Sequence, residues 1–119
     1  MSDVISKVCL IPRDFKVSGN RSMIQLLQES GYLGCKNGVV KDEVIKFLEN
    51  HPDLIEDWQI YSLDKRTSTG WYLLYEDSVW TVGYLNDGGR EKEHKFVSGF
   101  EACAVFIINE IKQLAKNTI

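Results

Sequence analysis

The chain is poor in the side chains that hold metals and make disulfides. It has two histidines and three cysteines. His51 and His94 have no cysteine or second histidine at metal-ligand spacing. Cys9, Cys35 and Cys103 are odd in number, widely spaced and without a CxxC. That pattern argues against a zinc knuckle or a disulfide framework, and predicts reduced structural thiols in a reducing compartment. Long apolar runs are missing too. Val8-Cys9-Leu10-Ile11, the longest early one, is too short for the core of a signal peptide. No segment approaches the roughly 20 apolar residues of a membrane helix. A soluble, cytoplasmic chain without a membrane partner is the simplest expectation.

Phosphate-binding loops are absent as well. Gly88-Gly89-Arg90 has neither P-loop nor Rossmann spacing and reads better as a hairpin turn. A surplus of positive charge is also lacking, since the formal net charge is -3. The charge is unevenly placed. Residues 1–41 carry six bases and three acids, whereas residues 42–64 carry seven acids against Lys46 alone. Residues 65–119 hold seven of each. An acidic block repels nucleic-acid phosphates and attracts basic partners.

What is present is an ordinary globular composition, 44% hydrophobic and 26% charged, on a chain of single-domain size, 1–119. The first 17 residues stay unassigned. Val4, Val8 and Ile11 have helical spacing, but Pro12 limits it. Ser18-Gly19-Asn20 has helix-start chemistry, and Met23 to Leu27 followed by Ser30-Gly31 predicts a helix over about 20–30. Val40, Val44, Phe47 and Leu48 mark a second helix. Pro52 opens a third, with Leu54, Ile55, Trp58 and Tyr61 as its apolar stripe.

After Gly70 the period changes from 3.6 to 2. Trp71, Leu73 and Tyr75 alternate with Tyr72 and Leu74, and Glu76-Asp77-Ser78 makes a tight turn. Val79–Leu85 is a second strand, and Glu93–Val97 a polar third suited to an edge. Phe100, Ala104, Ile107, Ile111 and Leu114 then predict a long amphipathic helix. The fold class is α+β: N-terminal helices, a three-stranded antiparallel β-meander, and a long C-terminal helix packed on the sheet.

Cys103 and His94 are one conceivable nucleophile pair, but Cys103 lies within the apolar face of the last helix, where a thiol is inert. Trp71, Tyr72, Tyr75, Trp80 and Tyr84 near Arg90, Lys92 and Lys95 resemble an RNA-binding sheet in composition. The plainer reading is that most of these rings are core, and the region is charge-balanced. Asp53, Glu56 and Asp57 are either a solvated helix face or an acidic binding surface. Trp58 beside them is either packed on the sheet or part of an interface.

The runs "PDLIEDWQIYSLDKRTSTGWYLL", "VWTVGYL" and "FVSGFEACAVFIINEI" resemble bacterial immunity proteins of polymorphic toxin systems, above all those of contact-dependent growth inhibition. The matching features are Trp58, Tyr61-Ser62, Asp64-Lys65-Arg66, Gly70-Trp71-Tyr72 and the helix from Glu101 to Ile107, within about half the chain. The resemblance implies a cognate antidote with no catalytic residues and no cofactor. It binds a toxin's C-terminal domain, commonly a nuclease such as an RNase, as a monomer in a 1:1 complex, and blocks its active site or substrate surface. Local charge and expected exposure then nominate Asp53, Glu56, Asp57, Trp58, Asp64, Glu76 and Asp77 as partner-binding, without direct nucleic-acid contact. A small regulatory or adaptor domain is the alternative; an unrecognised enzyme or RNA-binding domain is a third.

Overall fold

Pro12 lies in the first turn of a helix, where its missing N–H takes no hydrogen bond away. The computed structural model describes residues 2–19, 22–34, 38–64, 70–86 and 89–116. The unassigned beginning of the chain forms two helices, α1 (Ser2–Cys9) and α2 (Ile11–Ser18). Ser18-Gly19 ends α2 rather than starting the next helix: Gly19 is left-handed, with φ 73°, and its N–H bonds the Phe15 carbonyl. Ser22 caps α3 (Met23–Glu29) instead, accepting from the Gln25 N–H at 3.0 Å. After a 3-10 turn at Tyr32–Gly34 come α4 (Lys41–Asn50) and α5 (Leu54–Asp64), separated at His51-Pro52.

Strands β1 (Gly70–Glu76), β2 (Val79–Asn86) and β3 (Gly89–Phe96) form an antiparallel sheet in that order. Asp77 and Ser78 both have positive φ, at 52° and 65°. A two-residue hairpin needs that mirror-image turn to match the strand twist. Trp71, Leu73 and Tyr75 pair with Tyr84, Val82 and Trp80, so the alternating residues of both strands share one face. Helix α6 (Gly99–Lys116) packs on the sheet, as the expected α+β architecture requires.

The two edges are handled differently. At β1, the buried Ser62 of α5 replaces a neighbouring strand: its hydroxyl accepts the Leu73 N–H at 2.8 Å and donates to the Leu73 carbonyl at 3.2 Å. At β3 the edge is charged and exposed, and a register shift opposite Gly83 coincides with Lys92 at φ 56°. Charge and a bulge both discourage pairing with another chain.

The core lies around α6, between the sheet and α5 on one side and α4, with α1 packed on it, on the other. Val8, Cys9, Val44, Leu48, Trp58, Phe106, Ile107 and Ile111 are fully buried there. Trp58 joins three of these helices. Its Nε1–H donates to the Cys9 carbonyl of α1 at 2.9 Å, and its ring meets Tyr61 and Phe106 edge-on, with centroids 5.6 and 6.0 Å apart. Trp58→Phe keeps an aromatic ring, leaves a gap and strips that buried carbonyl of its donor. It should lower stability by about 2–4 kcal/mol, seen as a lower urea midpoint at unchanged slope. A loss below about 0.5 kcal/mol would contradict this role.

Candidate functional site

The structure separates the residues nominated from sequence. Trp58 is a correction: it is fully buried and offers nothing to a partner. Leu54, Trp58 and Ser62 lie on the inward face of α5, and that spacing outweighs the acidic neighbours Glu56 and Asp57. Asp53 and Asp57 are not a free acidic face either. Both hold Arg13 of α2, Asp53 through Nη2 at 2.9 Å and Asp57 through Nε at 2.8 Å. The Arg13 guanidinium holds the Asp53 carboxyl below its usual range, and the two carboxylates raise Arg13 in turn. A base from the basic first third thus offsets two acids of the acidic block. Glu56 is exposed in the first turn of α5. Glu76 and Asp77 are exposed on the β1–β2 hairpin. The Asp64 side chain lies outside the described residues, as does Cys35.

Beside the Arg13 cluster runs a groove of about 430 Å³ between α2, α3 and α5. Its apolar lining comes from Pro12, Phe15, Val17, Met23 and Ile60, its polar lining from Arg13, Lys16, Asp57 and Tyr61. Phe15 is 45% exposed, Val17 81% and Ile60 42%. Three apolar side chains facing solvent in one groove are unlike the scattered exposure of an ordinary surface. Sequence reasoning missed this site, although a signal existed. Ile60 and Leu63 fall off the buried stripe of α5, so that helix is apolar on more than its inward face.

Beneath the groove, Tyr61 donates its hydroxyl to Glu110, a buried carboxylate of α6. Burial, and then the negative charge of Glu110, pushes the Tyr61 phenol well above its ordinary range. The pair fixes the position of the Tyr61 ring.

The histidines lie at the surface, whereas Cys9 and Cys103 lie in the core. His51 is exposed, stacked on Phe47 at 4.3 Å, with Nδ1 3.1 Å from the Phe47 carbonyl. His94 is exposed on β3, whereas Cys103 is fully buried in α6, so the conceivable Cys103–His94 pair is not formed. Burial pushes the Cys9 thiol up to about 12 and raises Cys103 as well. Among the described residues, no three His, Cys, Asp or Glu side chains are grouped to hold a metal ion, and no helix is long and apolar enough to cross a membrane. Several of the sheet aromatics are engaged within the protein. Trp71 and Trp80 pack against the core, and Tyr72 on the opposite face is held by Glu93, to which it donates, and by Arg90 above its ring.

Comparison with known proteins returned no match: no family model, no curated protein and no solved structure.

Two outcomes follow from this geometry. Asp53 is depressed in the folded state, so its stabilising effect is present above the ordinary aspartate pKa of about 3.9 and fades as pH falls through the lower folded value. The melting-temperature gap between wild type and Arg13→Met should therefore be steady from pH 5 to 8 and close below about pH 4. A gap independent of pH would refute the ion pair. Second, iodoacetamide at pH 8 should leave Cys9 and Cys103 unmodified until the protein is unfolded, as read by peptide mass spectrometry. Rapid native labelling of Cys103 would contradict its burial.

Proposed function

We propose that this chain is a non-catalytic protein-binding domain that neutralises a bacterial toxin domain in the cytoplasm by docking its α2–α5 groove on it. One observation carries the reading. Phe15, Val17 and Ile60 present an apolar centre to solvent, with the charged groups Arg13, Lys16 and Asp57 around it. Apolar anchors inside a polar rim are the usual anatomy of a specific protein interface. The resemblance of residues 52–111 to immunity proteins supplies the class of partner, a toxin's C-terminal domain, and a nuclease in particular.

The acidic residues and the apolar groove do different work. A nuclease carries basic surface to hold phosphates. Glu56, and the net negative charge of the Arg13–Asp53–Asp57 cluster, draw such a surface in and raise the association rate. The anchors Phe15 and Ile60 then slow dissociation. Asp64, Glu76 and Asp77 extend the acidic character of the molecule. The complex is 1:1 and needs no cofactor.

The test is co-purification with the C-terminal domain encoded by the gene immediately upstream, followed by calorimetry at low and high salt. Ile60→Asp and Phe15→Asp should each weaken binding by about 100-fold without lowering the unfolding midpoint. Glu56→Gln should mainly slow association and flatten the salt dependence. Absence of binding by the wild-type chain would refute the toxin-directed reading. Binding that ignores both anchor variants would remove the groove from the interface.

A further inference from the structure

The walls of the α2–α5 groove come from helices. Lys16 and Val17 belong to α2, Met23 opens α3, and Asp57 and Ile60 belong to α5. Helices make their backbone hydrogen bonds internally, so these walls offer side chains and no open strand edge. An extended segment laid here would cover its own backbone polar groups without giving them partners. A helix arrives with those groups already satisfied. The dimensions agree with a helix. Helix α2 has eight residues and is therefore about 12 Å long. That is the reach of a partner helix that places anchors at i, i+4 and i+7. Apolar contacts for such anchors come from all three walls, Val17, Met23 and Ile60, and Leu63 carries the apolar ridge of α5 past the groove.

The polar lining is largely engaged within the molecule. Arg13 is held by Asp53 and Asp57, at 2.9 and 2.8 Å. Tyr61 donates its hydroxyl to Glu110. Lys16 is the lining charge left over: it is exposed, and among the described residues no carboxylate pairs with it. Covering a cation without an opposite charge is costly. An occupant of this groove therefore needs a carboxylate facing Lys16 as well as apolar anchors. The acidic block attracts a basic surface from a distance, whereas Lys16 sets the register of what finally seats.

We propose that the groove takes an amphipathic helix of the partner protein, with its apolar side chains on Val17, Met23 and Ile60 and a glutamate or aspartate against Lys16. This assignment rests on the groove being the docking surface and is independent of whether the partner is a toxin.

The experiment titrates the whole chain with alanine-based helical peptides of about 16 residues, each with leucine at i, i+4 and i+7, and follows methyl signals by NMR. One peptide carries glutamate between the leucines, one carries lysine there, and one carries glutamate with a central proline that breaks the helix. The glutamate peptide should shift the methyls of Val17, Met23 and Ile60 and leave the buried Ile107 still. It should bind about three- to tenfold tighter than the lysine peptide, although the net charge of -3 favours lysine in bulk. Lys16→Glu should reverse that order at an unchanged unfolding midpoint, and the proline peptide should not bind. Equal binding by the proline peptide, a wild-type preference for lysine, or still methyls at about 1 mM glutamate peptide would overturn the proposal. Self-association that Ile60→Asp abolishes would assign the groove to a second copy and overturn it as well. A parallel titration with the domain encoded immediately upstream separates this proposal from the function proposed above. Binding of that domain while the peptides leave the methyls still overturns the helix alone. Peptide binding without domain binding upholds the helix and overturns the toxin-directed reading.

Discussion

The indole of Trp58 holds the relative placement of the helices. Its N–H reaches the end of α1, its ring edges meet α5 and α6, and no part of it touches solvent. Because α2 follows α1 after the single residue Leu10, anchoring Cys9 to Trp58 also sets where α2 lies beside α5. Arg13 then spans the two helices at the surface. That exposed cluster is screened by salt and by water, so the buried indole governs the geometry and the ion pairs trim it. The groove between α2 and α5 is therefore a rigid feature of the core packing rather than a gap between loose helices.

Rigidity matters for the functional reading. A binding surface made from preplaced anchors loses less entropy on association than one that must be ordered first. Phe15 and Ile60 sit on elements joined through Trp58, and Tyr61 beneath them is fixed by Glu110. The groove offers apolar area with a partly neutralised rim.

Much of the fold was legible because its signals are local. The change of period at Gly70, the Glu76–Ser78 turn and the three-four stepping from Phe100 to Leu114 each follow from neighbours in sequence. The ambiguity at the beginning of the chain has a local cause too. Pro12 suggests a limit to one helix but serves as the start of the next, and Ser18-Gly19 serves as a stop. The candidate site was harder because its determinants are distant in sequence. Arg13 lies 40 residues from Asp53 and 44 from Asp57, so nothing in residues 42–64 alone reveals that their charge is partly offset. Trp58 looked exposable beside Glu56-Asp57, yet its fate was decided by Cys9, 49 residues away. Ile60 was the readable sign that was passed over, an apolar residue off the buried stripe of its helix.

The α2–α5 groove is proposed as a preformed protein-binding surface. The most direct measurement is amide hydrogen exchange on the free chain and on its complex with the domain encoded immediately upstream. The account predicts new protection in α2 and along the Ile60 side of α5, with the amides around Trp58 and Phe106 already slow in the free protein and unchanged. A complex that forms while α2 and α5 exchange as they do in the free chain would contradict it.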